Sequence, residues 1–195
     1  MNTPGIAATL AVTTLLAGTG VSSPAAAACT YEYVGDDGPS YPKWSEDCDT
    51  TVSPGRFGPL RMGSTTVPKA KQLNYLALNP FCANRLDGLN AGGYWTRKNG
   101  KVAAWLAGFR KGATQTTRGL RPRDTFSKAR RLYPGLEFTR FVPNPFGGPG
   151  QDVYSTQGKN GWLDVYVTRG RSKIDYFSVR ATSVSKPVPW IIDGC

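Results

Sequence analysis

The chain contains no histidine. That absence excludes Ser-His-Asp and Cys-His catalysis, histidine metal sites and imidazole acid–base chemistry. Long apolar runs are missing as well: no segment approaches the roughly 20 consecutive apolar residues of a membrane-spanning helix. Residues 1–28 lack any charged side chain, and a run of apolar or small residues from Ile6 to Leu16 leads through Ser22-Ser23-Pro24 to Ala26-Ala27-Ala28. Such a segment reads as an export signal cut after Ala28. Removing 28 of the 195 residues leaves an expected mature chain of 167. That length suits one compact domain burying roughly 70% of its unfolded surface.

Positive charge is plentiful, with 24 Lys and Arg against 13 Asp and Glu, a net +11. It is unevenly placed. Residues 29–49 carry Glu32, Asp36, Asp37, Glu46, Asp47 and Asp49 against Lys43 alone, which gives −5. Residues 50–195 carry 23 basic and 7 acidic side chains, which gives +16. A basic body points to an anionic partner: nucleic acid, an anionic envelope polymer or an acidic protein surface. The plainer reading is a field that keeps the protein in solution, with the acidic arm folded back onto the body. The arm's carboxylates lack the spacing of a calcium loop, and neither metal nor cofactor is expected.

The four cysteines are Cys29, Cys48, Cys82 and Cys195. In an exported protein an even count reads as two disulfides, for which three pairings exist. The favoured one joins Cys29 to Cys48, stapling the acidic arm, and Cys82 to Cys195, tying the first half to the terminus. Loop entropy sets upper figures of roughly 3 and 5 kcal/mol for these bridges. The rival reading makes Cys29 the lipid-bearing first residue of an anchored lipoprotein.

Along the chain, residues 35–59 are rich in Gly, Pro, Ser and Asp and read as irregular. A first helix is expected after Thr65, with Pro68 in its first turn and Val67, Ala70 and Leu73 on one face. Tyr94–Lys98 and Lys101–Ala107 flank Asn99-Gly100, a strong hairpin signal because both residues tolerate positive φ. A second helix follows an Asp124 cap, with Phe126, Ala129 and Leu132 on its buried face and Pro134-Gly135 ending it. Four strands are expected beyond it, at Leu136–Phe141, Asp152–Ser155, Gly161–Thr168 and Lys173–Ala181. Aligning residues 60–73 with 119–132 places Thr66 on Thr125, Lys69 on Lys128, Ala70 on Ala129 and Leu73 on Leu132. Two unrelated short helices could share so little, but the common order of helix, loop and hairpin suggests a duplicated unit of about 60 residues. The expected fold is α+β. Two tandem repeats, residues 56–112 and 113–195, each pack a helix or helix-loop-helix on an antiparallel sheet, as one globular unit behind an acidic arm at 29–55.

Gly58-Pro59-Leu60-Arg61-Met62-Gly63 before a Thr-led helix is echoed by Gly119-Leu120-Arg121-Pro122-Arg123-Asp124-Thr125-Phe126-Ser127-Lys128-Ala129. This pattern resembles the secreted actinobacterial tandem helix-plus-sheet repeat proteins related in fold to the β-lactamase inhibitory protein. The resemblance spans about residues 56–181. It implies two sheets presenting a concave binding face, and a partner that is an extracellular enzyme. It also implies cysteines after the first helix and at the carboxyl end, which Cys82 and Cys195 match. Here Gly63-Ser64-Thr65 stands where the family has Gly-Met-Thr, and Pro122-Arg123-Asp124 has no glycine.

Enzymatic routes are few. A glycosidase needs two carboxylates about 5–10 Å apart, and the body offers Asp87, Asp124, Glu137, Asp152, Asp164, Asp175 and Asp193. Ser127 and Lys128 are adjacent on a helix and point apart. No enzyme is expected. The last hairpin carries more information. A two-residue Gly170-Arg171 turn would face Val167 with Ile174 and Val165 with Tyr176, and so bury one side. Trp162, Asp164 and Tyr166 would then share the other side with Lys173 and Phe177. Aromatics interleaved with charge form a contact surface, because they supply area at low entropy cost. The competing reading covers both sides of the sheet and makes these aromatics core. Trp95 and Arg97, near Tyr94 and Trp105, give the first repeat a similar mixture. The expected function is a secreted, non-catalytic binding protein that contacts an extracellular protein through this face, as an enzyme inhibitor if the resemblance holds. The alternative is a cationic binder of anionic envelope polymer or nucleic acid. A hydrolase comes third.

Overall fold

A computed structural model describes residues 31–34, 41–44, 48–73, 75, 77–78, 85–88, 92–96, 99–107, 114–144 and 147–187. For residues 31–34, 41–44, 77–78, 85–88, 92–96 and 107 the backbone path alone is described. Residues 1–28, Cys29, Cys82, Arg97 and Cys195 lie outside this set. Cys48 is disulfide-bonded; its partner, and with it the expected pairing, also lies outside.

The fold is α+β and dominated by sheet. Two strands, β1 (Tyr31–Val34) and β2 (Tyr41–Trp44), pair as an antiparallel ribbon. A four-stranded sheet follows, from β3 (Thr51–Ser53), β4 (Arg56–Phe57), β5 (Leu60–Arg61) and β10 (Gln115–Thr116), in the order β10-β3-β4-β5. Residues 41–44 and 51–57 were expected to be irregular. The second of these stretches forms strands because Val52, Phe57 and the following Leu60 are buried in the core and hold the backbone against it.

The main sheet has eight strands, from β6 (Ala77–Leu78), β7 (Arg85–Gly88), β8 (Gly92–Thr96), β9 (Val102–Ala107), β11 (Glu137–Val142), β12 (Gln151–Gly158), β13 (Gly161–Thr168) and β14 (Tyr176–Arg180). Their order is β11-β12-β13-β14-β9-β8-β7-β6, antiparallel throughout. Two four-stranded meanders therefore meet at their last strands, β9 and β14.

Each meander is preceded by a short helix, α1 (Val67–Gln72) or α2 (Phe126–Leu132). The caps lie one residue later than the expected Thr65 and Asp124. Thr66 accepts from the Lys69 N–H at 3.4 Å and Thr125 from the Lys128 N–H at 3.2 Å. Thr65 and Asp124 instead close the turn before each helix, accepting from the N–H of Arg61 at 2.8 Å and of Arg121 at 2.7 Å. Ala70 and Ala129 are fully buried, so each helix rests on the core through a methyl group. Both lead-ins pair with the hairpin of their own meander: Thr66 bridges Lys101, and Thr125 bridges Lys173.

The core lies between these helices, the small sheet and one face of the large sheet. Leu163, Val165, Phe177, Val179 and Trp105 supply the large sheet's side, and Phe57 stacks on Trp105 at 5.0 Å. A smaller cluster of Leu106, Val142, Val153, Tyr166 and Tyr176 covers the opposite face. Among the described residues no helix is long and apolar enough to cross a membrane.

Candidate functional site

The register of the last hairpin determines which side chains share a face, and it is one residue away from the expected one. Tyr166 faces Tyr176, Val165 faces Phe177, Asp164 faces Ser178 and Trp162 faces Arg180. The cause is the lead-in to α2. The Arg171 N–H closes a turn onto Thr168 O at 2.9 Å, but Lys173 and Ile174 then pair with residues 123–125. The chain rejoins β13 only at Asp175, whose N–H donates to Tyr166 O at 2.9 Å. A slip of one residue exchanges the faces of a strand. Phe177 therefore lies in the core with Val165 and does not share a surface with Trp162. Lys173 is exposed beside Thr125, away from that face. Trp95 sits on β8 in register with Arg85 and Ala104.

The face that does carry Trp162, Asp164 and Tyr166 is completed by Tyr176, Ser178 and Arg180, and most of it is closed to solvent. Asp164 and Arg180 are 0% and 1% exposed and form an ion pair at 2.9 Å. Asp164 also accepts from Ser155 Oγ at 2.6 Å and from Ser178 Oγ at 2.9 Å. Arg180 donates a further hydrogen bond to Val184 O, and its guanidinium lies 4.4 Å from the Trp162 ring centre. Burial pushes the Asp164 carboxyl above its ordinary range, against the pull of Arg180 and the two serines. Tyr166 stacks on Tyr176 at 4.4 Å. Burial, reinforced by the Asp164 carboxylate, raises the Tyr166 phenol, and burial with Tyr166 and Asp175 raises that of Tyr176. The acid, the guanidinium and the hydroxyls satisfy one another inside the protein. Of Trp162, Tyr166 and Phe177, Trp162 alone keeps partial exposure.

A cleft of ≈ 260 Å³ opens at one end of this face. Val142, Pro143 and Pro149 form its apolar wall, and Gln151, Thr168, Asp175 and Tyr176 its polar floor. Asp175 Oδ2 accepts from the Thr168 N–H at 2.6 Å, from Thr168 Oγ1 at 2.8 Å and from Gln151 Nε2 at 3.5 Å. The Tyr176 hydroxyl donates to Gln151 Oε1. Arg123 completes the lining from the lead-in to α2, with a left-handed φ of 73°. Sequence reasoning did not single out Arg123, although the glycine missing from Pro122-Arg123-Asp124 was the available signal.

Cations gather on the surface around α2. Among the described residues Arg131, Arg171 and Lys173 are exposed and have no acidic partner, and Arg130 lies 5.1 Å from the Phe126 ring centre. The Phe126 N–H bonds Ser172 O at 2.8 Å, which brings the 171–173 turn beside the helix. The acid that caps the turn before α2, Asp124, is bridged to Lys128 at 2.8 Å. Its partial burial opposes ionisation, but Lys128 and the Arg121 N–H outweigh that and hold its carboxyl below the ordinary value. At the sheet edge, β11 exposes Phe138 and Phe141, and Arg169 stacks on Phe141 at 3.9 Å while paired to Asp152. Among the described residues no three Cys, Asp or Glu side chains converge on a common point. No protein-family model matches the chain, and comparison with curated proteins and with solved structures finds no match.

Proposed function

We propose that the protein is a secreted, non-catalytic binding protein that engages an anionic polymer, such as a phosphate-rich envelope polymer or nucleic acid, through the cationic surface around α2. The observation that carries this reading is the row of exposed cations at both ends of α2, Arg130 and Arg131 in its last turn and Arg171 and Lys173 in the turn beside its start, where Asp124 is already neutralised by Lys128. Its weight increases because Tyr166 and Phe177, the aromatics expected to meet a protein partner, are 0% exposed. For such cations log K falls linearly with log salt, and each phosphate they neutralise adds about one unit to the slope. Titration of a teichoic acid into the protein at several salt concentrations tests this. Changing Arg131, Arg171 and Lys173 to Gln should flatten the slope, and salt-independent binding would count against the reading.

A second reading, contact with an extracellular protein, is supported by the edge strand β11, where Phe138 and Phe141 are 57% and 37% exposed. The two meanders read as a duplicated unit. In support, Thr66 and Thr125 both cap, and Ala70 and Ala129 both sit under their helices. That arrangement also favours the likeness to the tandem helix-plus-sheet repeat proteins. Export rests on residues 1–28 and on the bridged Cys48, which suits an oxidising compartment.

A further inference from the structure

We propose that the cleft between the end of β11 and the lead-in to α2 is a binding site for a small organic anion that also carries a hydrogen-bond donor. The acid group would sit on Arg123 and the donor on Asp175. This inference is independent of the polymer reading, which rests on other side chains.

Three observations carry it. The first is backbone strain. Arg123 is the one non-glycine among the described residues with positive φ, at 73°. Ahead of α1 the residue that makes the equivalent bond, three residues before the cap where Arg123 is two, is Gly63 at φ 77°. Both residues make the same bond across to their hairpin, Gly63 N–H to Val102 O at 2.7 Å and Arg123 N–H to Ile174 O at 2.8 Å. Glycine takes this conformation without penalty, whereas arginine crowds its Cβ against its own carbonyl. Strain of this kind persists only where the surroundings hold it, and it recurs at active sites and ligand clamps.

The second observation is the pairing of charges. Arg123 and Asp175 line the same cleft, yet no bridge joins them, and among the described residues the guanidinium has no acidic partner. Asp175 Oδ2 is occupied by Thr168 and Gln151, while Oδ1 accepts no hydrogen bond from the described residues. Two opposite charges that line one cavity without pairing match a ligand with an acid at one end and a hydroxyl or ammonium group nearby.

The third is preorganisation. Gln151 is fixed between Asp175 and the Tyr176 hydroxyl, and Thr168 is fixed by two bonds to Asp175. The floor keeps its shape without a ligand, which lowers the cost of binding. The volume of ≈ 260 Å³ lies just below the roughly 300 Å³ where drug-sized pockets begin, so the occupant has the size of an amino acid or a sugar phosphate.

Calorimetric titration of the full protein with glycerol 3-phosphate, with alanine and with glycerol tests the site. At least one of the two acid-bearing probes should bind saturably, one to one, and glycerol should not. Arg123→Gly should weaken that binding at least tenfold while leaving Tm unchanged or higher, because glycine is at ease at this φ. Asp175→Asn should weaken it as well. The proposal is overturned if neither acid-bearing probe saturates, if glycerol binds equally well, or if Arg123→Gly binds as tightly as the parent. A Tm lowered by Arg123→Gly would remove its first support.

Discussion

Asp164 and Arg180 illustrate how much one buried pair depends on both members. At 0% and 1% exposure each charge has given up its hydration for the other and for Ser155 and Ser178. Removing one partner leaves the second charge buried and uncompensated. Asp164→Ala should therefore destabilise the protein by about 3–5 kcal/mol, and replacing the pair by Leu and Met should cost far less. Denaturant midpoints of the two variants check this, and equal losses would contradict it. Alternation with Leu163 and Val165 placed Asp164 on the opposite face of its strand, where it was expected to be part of an open contact surface. Its partner was not legible, because Arg180 reaches that face only in the observed register.

The tyrosines give the pH dependence at the same scale. Burial, helped by the Asp49 carboxylate, raises the Tyr75 phenol from 10.0 to about 12, and burial raises Tyr166 and Tyr176 further. A raised folded-state pKa favours the protonated, folded form. The contribution of Tyr75 is whole below pH 10 and is lost as pH rises through about 12. In an alkaline absorbance titration these three of the nine tyrosines should ionise above the ordinary tyrosine range, together with unfolding. A single transition of all nine near pH 10 would contradict the burial.

At the scale of elements, the helices and hairpins were legible and the register of the last hairpin was not. Val67, Ala70 and Leu73, and Phe126, Ala129 and Leu132, recur at helical spacing, and this locates both helices within a residue at their starts. The caps shifted by one because Thr65 and Asp124 hold the preceding turn, a choice between two local hydrogen bonds that the sequence does not rank. For Thr125→Ala the expected cost is about 1 kcal/mol, since the Lys128 N–H loses its acceptor. The last hairpin misled for a different reason. Its turn was read as a local event, whereas residues 173 and 174 are held by the lead-in to α2, far away in sequence. The observed register makes Phe177 core, so Phe177→Ala should cost about 3–5 kcal/mol. Trp162→Ala, at a partly exposed position, should cost less, and the reverse order would restore the expected register.

Over the whole molecule, the α+β class and the antiparallel sheet followed from alternation and turn residues. The joining of two meanders through β9 and β14 did not, since strand pairs of such separation leave no local trace. Charge behaved in the same way. The basic excess was legible from composition, but its concentration around α2 depends on the contact between residues 171–173 and the helix. The cleft was hidden for a similar reason, because Arg123 and Asp175 come to line it together only through the pairing of residues 123–125 with 173–174.

The central claim is that the cations around α2 bind an anionic polymer. Its most direct test is the salt dependence of teichoic acid binding by the parent protein and by the Arg131→Gln, Arg171→Gln, Lys173→Gln variant, with fold checked by circular dichroism. The account predicts a steep linear fall of log K with log salt for the parent, and a slope shallower by up to about three units for the variant. Identical slopes for two equally folded proteins, or binding indifferent to salt, would contradict it.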